Sequence, residues 1–122
     1  MKANLGIAPI GWTNDDLPEL GGDIPLETCL ADSQAAGYSG VERGGKFPKT
    51  AEEMLSVLGR YDLQLVTGWY SGTVLDNDLE AEKARAREQI DLFKAVGCAC
   101  IVYGETAGTI QNVQSAPLNS RR

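Results

Sequence analysis

Residues 5–16, LGIAPIGWTNDD, decide the predicted fold. An almost wholly apolar run from Leu5 to Ile10 breaks at Gly11 into a polar tip. A strand that is apolar on both faces is typical of a parallel sheet covered by helices, because a strand with one wet face alternates apolar and polar residues. We therefore predict a strand over residues 5–10 within a parallel α/β fold.

The same arrangement, a short apolar run followed by polar or aromatic residues, recurs three times further along the chain. The later strand ends are marked by Glu42, by Trp69-Tyr70 and by Tyr103-Gly104-Glu105. Ligands of parallel α/β folds bind outside the carboxyl ends of the strands. The four strand ends are therefore where we expect a functional site.

Three helical patterns separate the predicted strands, and Gly37, Gly59 and Gly97 each end a helix just ahead of a strand. In the first helix, Asp23 is the predicted cap. In the second, Thr50 and Glu53 form a capping box. From the first helix to the third, the predicted buried stripes are Leu26, Cys29, Leu30 and Ser33; Ala51, Met54, Leu55 and Leu58; and Leu79, Ala86, Ile90 and Phe93. On the third helix the charge pairs Glu80–Lys83 and Glu82–Arg85 are assigned to the solvent side.

The resulting order is β-α-β-α-β-α-β, with the later strands predicted over residues 39–42, 63–67 and 98–103. Right-handed crossovers place such strands in one parallel sheet. An open doubly wound sheet and a closed barrel share this start. The first strand-to-helix loop lacks the Gly-x-Gly-x-x-Gly pattern of dinucleotide-binding sheets, which favours the barrel. We predict an α/β fold, a (β/α)8 TIM barrel, of which this chain carries about the first half.

The length of the chain conflicts with a complete barrel. The chain has 122 residues, whereas a complete barrel needs roughly 250. We predict one partial TIM-barrel domain over residues 1–122, with an irregular tail from about Thr106. Because an open half-barrel leaves two edge strands unpaired and one sheet face uncovered, we expect marginal stability or self-association, with a homo-oligomer as one outcome.

Composition and charge narrow the range of partners. The net charge is -6 and the pI is near 4.5, which argues against a partner such as nucleic acid, since binding its phosphates needs a basic face. No apolar run approaches the roughly 20 residues of a membrane helix, and the start of the chain lacks the order of a signal peptide. We expect a cytoplasmic protein with no membrane partner.

Cysteine and histidine usage restricts the chemistry. The three cysteines have no disulfide spacing, and Cys98 and Cys100 are predicted to be small buried residues on one face of a strand. The chain contains no histidine. Histidine-based triads and zinc sites with histidine ligands are therefore excluded within these residues, which leaves metal binding to carboxylates.

Four motifs carry a resemblance to a known family. They read IAPIGWTNDDLPELGGDIPLE, GYSGVERGGKFP, LVTGWYSG and VYGETAGTIQ, and together they extend from about Lys2 to about Pro117. In this order they resemble the amino-terminal part of inosose dehydratase. The resemblance implies the xylose-isomerase-like barrel superfamily and a lyase of inositol catabolism. Such a lyase removes water from 2-keto-myo-inositol (scyllo-inosose) and gives a trihydroxycyclohexane dione.

The resemblance also implies a divalent metal, manganese or cobalt. In that superfamily the ligands are two Glu, an Asp and a His from later strands, so none is expected in this chain. The sequence departs from the family pattern in the tail after Gln111 and at Arg43, where an apolar residue is expected to follow the Glu. Two interpretations of Arg43 stay open: it pairs with Glu42 and alters the pocket, or it points to solvent.

The chemistry of the implied reaction suggests what this chain contributes. Eliminating water beside a ketone requires loss of the proton alpha to the carbonyl, stabilisation of the enolate and an acid for the leaving hydroxyl. We assign no catalytic residue here and predict substrate holding by hydrogen-bonding side chains, two aromatic rings and a lysine that reaches a carbonyl or enolate oxygen. The predicted substrate-binding residues are Asn14, Glu42, Lys46, Trp69, Tyr103 and Glu105.

Each of these assignments has a structural alternative. For Glu42 and Glu105 the alternative is a surface ion pair. The remaining alternatives are that Trp12 and Trp69 plug the barrel mouth, that Asp15 and Asp16 cap or solvate a turn, and that Tyr70 packs under a loop. For the function, the alternatives are a sugar isomerase or epimerase on the same barrel and a truncated, non-catalytic half-barrel that associates with another chain.

Overall fold

The computed structural model describes residues 3–109, in which parallel strands alternate with helices. In chain order the elements are β1 (Gly6–Ile7), α1 (Leu26–Ala35), β2 (Gly40–Arg43), α2 (Ala51–Gly59), β3 (Gln64–Gly72), α3 (Leu79–Ala95) and β4 (Val102–Glu105). A short 3₁₀ turn, Pro9–Gly11, follows β1. The predicted order of elements is confirmed.

The strands lie in the sheet in the order β1-β2-β3-β4, and every neighbouring pair is parallel. In a doubly wound sheet the strand order reverses at a switch point, whereas in a barrel each strand lies beside the one before it. The unreversed order therefore confirms the prediction of a partial TIM barrel.

The first strand is shorter than predicted. Only two residues pair with β2, because Pro9 has no N–H to donate and begins the 3₁₀ turn instead. The backbone N–H groups of Trp12 and Thr13 both donate to the carbonyl oxygen of Pro9, at 2.9 and 3.0 Å. The polar tip therefore starts close to the sheet.

The third strand is longer than predicted, and the fourth begins later. Gln64, Leu65, Thr67 and Gly68 of β3 pair with β2, with a register shift between Val41 and Glu42, and residues 69–72 pair with β4. This stagger is the shear of a barrel, in which successive strands are offset along their length. The segment predicted as the tip of β3 is therefore strand, and β4 starts at Val102 rather than at Cys98.

A core of apolar side chains lies between the sheet and the helices. Its buried members are Leu30, Val41, Phe47, Met54, Val57, Leu58, Leu63, Leu65, Phe93 and Cys98. Cys29, Leu30 and Ser33 on α1 are buried as predicted. On α2, Met54 and Leu58 are buried as predicted, but Leu55 is exposed and Val57 takes its place.

The buried face of α3 differs from the predicted stripe. Leu79 and Ile90 are exposed, whereas Glu82 and Phe93 are buried, with 6% and 2% of their surface accessible. The assignment of the Glu82–Arg85 pair to the solvent side was wrong. A buried carboxylate is tolerated where hydrogen bonds replace water, and Glu82 has such partners on β3 and the loop that follows it.

Helix ends agree only partly with the predicted caps. Thr50 caps α2 as predicted, accepting from the N–H of Glu53 at 3.3 Å. The N-cap of α1 is Pro25 rather than Asp23, and it makes no side-chain cap. Asp78 caps α3 through the N–H groups of the second and third following residues, and its role was not predicted.

Cysteine exposure corrects another expectation. Cys29 and Cys98 are buried and Cys100 is exposed, and all three are free thiols. Cys98 and Cys100 do not share a strand face, since β4 begins after both of them.

Among residues 3–109, no helix combines the length and apolar character needed to cross a bilayer. Most of the predicted irregular tail, from residue 110 onward, lies outside the described residues.

One face of the sheet is free of helices in the described part of the chain. Val66 of β3 lies on this face. Its side chain covers Gly6 of β1 and Gly40 of β2, where an added β-carbon would lie 3.0 and 2.4 Å from it. Val66, Trp69 and Val102 remain 42%, 51% and 38% exposed. Self-association through this face stays a prediction.

Candidate functional site

A cleft of about 540 Å³ lies at the carboxyl ends of β1, β2 and β3. Its walls are the tip after β1, the loop after β2 and two residues of β3. The polar and aromatic residues that line it include Asn14, Asp16, Glu42, Arg43, Lys46 and Trp69. Four of the six predicted site residues, all except Tyr103 and Glu105, are therefore brought together.

The tip after β1 is folded tightly by two glycines. Gly21 has φ of +75°, and a β-carbon there would lie 1.8 Å from the carbonyl oxygen of Trp12. A β-carbon on Gly22 would lie 2.1 Å from the carbonyl oxygen of Pro18. Only glycine permits both the left-handed backbone and the close approach. The tip is consequently a defined wall of the cleft.

Asn14 shapes this tip and also lines the cleft. Its Oδ1 atom accepts from the backbone N–H groups of Asp16 and Leu17, at 2.9 and 3.1 Å. This is an Asx turn, in which the side chain replaces a backbone acceptor. Because the amide oxygen is engaged, the amide nitrogen is the atom that we expect to contact a ligand.

Asp15 ties the first two loops together. Its Oδ2 atom accepts from the N–H of Gly45 at 2.7 Å. A β-carbon on Gly45 would lie 2.9 Å from the other carboxylate oxygen, so glycine allows the loops to approach. Asp15 therefore joins two loops and does not act as the cap of a local turn through this contact.

Lys46 clamps the same tip from the other side. Its ammonium donates to the carbonyl oxygens of Gly21 at 3.1 Å and Gly22 at 3.0 Å, and also to that of Ile24. An ammonium has three N–H donors, so all three are engaged. Contact between Lys46 and a substrate oxygen stays a prediction, and it requires that one of these bonds be released.

Glu42 and Arg43 end β2 and both line the cleft. Within residues 3–109 the Glu42 carboxylate makes no hydrogen bond or ion pair, and it does not pair with Arg43. The Arg43 side chain is half-buried, and its Nε atom is buried without a hydrogen-bond partner in the described residues. The structure therefore matches neither interpretation of Arg43: its side chain does not pair with Glu42, and it is not fully exposed to solvent.

Trp69 contributes an aromatic wall. Its indole N–H donates to the Ser71 hydroxyl at 2.9 Å, and the ring lies against Gly104, where a β-carbon would be 2.2 Å from it. Gln89 of α3 holds the Trp69 carbonyl at 3.1 Å. Trp12, in contrast, donates to Asp32 of α1 at 2.9 Å and does not line the cleft.

Tyr103 and Glu105 lie at the same rim but outside the lining of the cleft. The Tyr103 hydroxyl donates to Glu105 Oε2 at 2.7 Å, which raises the pKa of Tyr103 to about 12 and lowers the pKa of Glu105. Glu105 also accepts from the N–H groups of Val74 and Ala107, both at 3.0 Å. In the described structure this carboxylate joins the loops that follow β3 and β4.

A second polar cluster, which we term the helix-side network, comprises Tyr70, Thr73, Glu82 and Arg85. Glu82 accepts from the Tyr70 hydroxyl at 2.8 Å, from the Thr73 hydroxyl at 3.1 Å and from Arg85 at 3.2 Å. The Tyr70 bond is the main cause of the lowered pKa of Glu82, while burial raises the pKa of Tyr70. Arg85 also donates to the Ser71 carbonyl at 2.8 Å.

Sequence reasoning missed the helix-side network, although a signal was present. Glu82, Ala86, Gln89 and Phe93 are spaced four, three and four residues apart, which is one face of a helix. The predicted stripe runs instead through the more apolar Leu79 and Ile90. Tyr70 stacks on Tyr103 with ring centroids 6.0 Å apart, so the network extends to the Tyr103–Glu105 pair.

The described residues do not fit the divalent metal that the family resemblance implies. No three His, Cys, Asp or Glu side chains come together as a ligand set among residues 3–109. In the cleft, the Asp15 carboxylate is engaged by the N–H of Gly45.

Curated proteins of similar sequence support the family resemblance. The rhizopine catabolism protein MocC of Rhizobium meliloti is 42% identical over 107 residues, which are 88% of this chain and 33% of that protein. An inosose dehydratase of Mesomycoplasma hyopneumoniae strain 7448 is 40% identical over 96% of the chain and 38% of its own length. The resemblance to the inosose dehydratases is confirmed.

A further inosose dehydratase, from Geobacillus thermodenitrificans strain NG80-2, is 35% identical over 99% of the chain and 41% of its own length. No family model matches the chain. The chain thus spans about a third to two fifths of the length of the inosose dehydratases and MocC that it matches.

Proposed function

We propose that this chain is the substrate-holding part of an inosose dehydratase, which removes water from 2-keto-myo-inositol. Similarity to two inosose dehydratases over 96% and 99% of the chain supports the class of reaction. The observation that carries the proposed role is the convergence of Asn14, Glu42 and Trp69 on one cleft at the strand ends. Small-molecule sites in parallel barrels lie at this end.

The chemistry of the cleft matches a hydroxylated ring. Its volume of about 540 Å³ lies within the range of roughly 300–1,000 Å³ that is common for small-molecule sites. Glu42 provides acceptors for hydroxyl protons and Asn14 provides an amide donor. The half-exposed ring of Trp69 offers an apolar surface to the C–H face of the substrate.

The proposed product is a trihydroxycyclohexane dione, formed in the cytoplasm during inositol catabolism. Since residues 3–109 contain no ligand set for the implied manganese or cobalt, the role proposed for this chain is limited to binding and orienting the ring. The proton-abstracting base and the acid are assigned to no residue of this chain. We accordingly expect no turnover by the 122-residue chain alone.

Tryptophan fluorescence tests the binding role directly. The chain has two tryptophans, of which Trp69 lines the cleft and Trp12 does not. Titration with 2-keto-myo-inositol is expected to change the emission of the unsubstituted chain and of Trp12→Phe, whereas Trp69→Phe loses the response. An unchanged emission in the unsubstituted chain, or a response that survives in Trp69→Phe, would contradict the proposal.

An activity measurement tests the expectation that this chain alone does not catalyse the dehydration. The chain is mixed with manganese and 2-keto-myo-inositol, and the ultraviolet absorbance of the dione is followed. We expect no increase above the rate without protein. A measurable rate of dehydration would mean that the chain contains catalytic groups that have not been assigned.

The uncovered sheet face favours one further candidate, a non-catalytic half-barrel that associates with a second copy. Val66, Trp69 and Val102 are exposed apolar or aromatic residues on or beside this face. Sizing chromatography at several concentrations, combined with an intact-mass measurement, tests it. A monomer at all concentrations would contradict self-association and leave the binding role unaffected.

A further inference from the structure

Ser71 of β3 carries a hydroxyl proton that the described residues do not use. The Trp69 indole N–H donates to the Ser71 oxygen at 2.9 Å. An indole nitrogen can only donate, so the serine oxygen is the acceptor of this bond and its own O–H takes no part in it. No acceptor among residues 3–109 receives that O–H. Because Ser71 is exposed and lines the cleft, its proton is available to a ligand.

The strand presents Ser71 and Trp69 together on the cleft side of the sheet. Alternate residues of a strand point to the same face, and Tyr70 between them points to the other side, where it binds Glu82. Ser71 pairs in register with Gly104 of β4, and a β-carbon on Gly104 would lie 2.2 Å from the Trp69 ring. The indole therefore lies over this glycine, with its N–H edge at the Ser71 hydroxyl.

Helix α3 holds the backbone of both residues. Gln89 donates to the carbonyl oxygen of Trp69 at 3.1 Å, and Arg85 donates to that of Ser71 at 2.8 Å. Binding groups carried by a supported strand are positioned more precisely than groups carried by a loop. The ring and the hydroxyl are therefore presented to the cleft in a defined relative position.

The wall that β3 contributes to the cleft consists of Trp69 and Ser71. The indole N–H is already engaged, so the Ser71 hydroxyl is the side-chain donor that this wall offers. The three N–H groups of Lys46 hold the carbonyls of the tip, and the Asn14 amide belongs to a different wall. An apolar ring with a donor at its edge is complementary to a hydroxylated ring, which has a C–H face and oxygen atoms around it.

We propose that Ser71 is a substrate-binding residue, which donates its hydroxyl proton to an oxygen at the edge of a hydroxylated ring that lies on Trp69. This inference rests on the proposed function of the cleft and adds a donor to it. The hydrogen bonds then form a chain from the indole N–H through the serine hydroxyl to the ligand oxygen. Because linked hydrogen bonds polarise one another, the indole bond is expected to strengthen when the ligand binds.

Calorimetric titration of matched variants with 2-keto-myo-inositol tests the inference. Ser71→Ala is expected to bind about three- to tenfold more weakly, the scale of one neutral hydrogen bond. Ser71→Thr keeps the hydroxyl, so it should bind nearly as tightly as the unsubstituted chain. Ser56→Ala, at an exposed position of α2 outside the lining of the cleft, is the control and is expected to leave the affinity unchanged.

A purely structural role, in which Ser71 only holds the indole, gives a different result in a second background. Trp69→Phe keeps an aromatic ring but has no N–H to hold, so the loss of a tether has no effect there, whereas the loss of a donor to the ligand does. Ser71→Ala is expected to weaken binding by a similar factor in both backgrounds. A loss confined to the chain that contains Trp69, or no loss in either, would overturn the inference.

Proton NMR supplies a readout in the chain without substitutions, and it decides the matter if Trp69→Phe binds too weakly for the comparison. The Trp69 indole N–H resonance, assigned as the one that remains in Trp12→Phe, is expected to move downfield on addition of the keto-inositol. A change in Trp69 emission without this downfield movement overturns the inference and leaves the binding role standing. No change in heat, emission or resonance contradicts both.

Discussion

The two sides of the strand ends differ in how their polar groups are satisfied. On the helix-facing side, Glu82 binds Tyr70, Thr73 and Arg85, and Glu105 binds Tyr103 and two backbone N–H groups. On the cleft side, which Glu42 lines, the Glu42 carboxylate makes no hydrogen bond or ion pair within residues 3–109. The two sides are built from the same residue types.

This difference separates positions that build the fold from positions that can bind a ligand. A carboxylate whose oxygens already accept from the protein has little capacity left for a substrate hydroxyl. The Glu105 carboxylate is in that state, whereas Glu42 is not. We therefore expect substitutions on the helix-facing side to affect stability first, and substitutions on the cleft side to affect binding first.

The largest effect is expected from Phe93→Ala, beneath the helix-side network. Phe93 is 2% exposed, and its ring fills the space beside Gly68 between α3 and β3. Removing it is expected to lower the free energy of unfolding by about 3–5 kcal/mol, measured by urea denaturation. Ile90→Ala, on the same helix but 38% exposed, is the control and should cost less than about 1 kcal/mol. Similar losses for the two variants would contradict the observed face of α3.

The second effect concerns the charge within the helix-side network. The folded-state pKa of Glu82 lies below its ordinary 4.5, mainly because the Tyr70 hydroxyl donates to it. Its contribution to stability is therefore fully present above 4.5 and is lost as pH falls through the lower folded-state pKa. Glu82→Gln is expected to be less stable than the unsubstituted chain at neutral pH and to lose less stability on acidification.

Urea denaturation at neutral and acidic pH measures that difference, and Glu80→Gln is the matched control. Glu80 forms an exposed pair with Lys83, with 81% of its side chain accessible, so little change is expected at either pH. An acid dependence of Glu82→Gln equal to that of the unsubstituted chain would contradict the assigned cause.

A smaller effect is expected at the Tyr103–Glu105 pair. The bond to Glu105 raises the pKa of Tyr103 from 10.0 to about 12. The stability from this shift is fully present below 10.0 and is lost as pH rises through about 12. Ultraviolet titration of tyrosinate, taken as the difference from Tyr103→Phe, should show this pKa, and Glu105→Gln should return it towards 10.0. An unchanged titration in Glu105→Gln would contradict the pairing.

Much of the fold could be predicted from local signals. Apolar periodicity identified the buried face of α1, and the Thr50 cap located the start of α2. The buried face of α3 could not be predicted in this way, because Glu82 is buried by partners on β3 and its following loop. The extent of β3 depends on the barrel stagger, which no local pattern encodes.

The sequence predicted the end of the sheet at which the candidate-site residues gather, but not which of them line the cleft. Strand-end positions bring Asn14, Glu42 and Trp69 to one cleft. Whether a side chain faces the cleft depends on its register with the neighbouring strand. Tyr103 pairs in register with Tyr70 rather than with Trp69, so it shares the helix-facing side, and Glu105 two residues later does the same.

The smallest effect on stability is expected from Glu42→Gln, on the cleft side. Because this carboxylate makes no hydrogen bond to the described residues, its replacement should change the free energy of unfolding by less than about 0.5 kcal/mol. Affinity for 2-keto-myo-inositol, followed by Trp69 emission, should nevertheless fall about tenfold, since an amide is a weaker acceptor than a carboxylate. Glu105→Gln is the matched comparison from the other side of the rim and should keep its affinity. If Glu105→Gln lost affinity and Glu42→Gln did not, the ligand would have to bind on the helix-facing side, and the contrast between the two sides would be reversed.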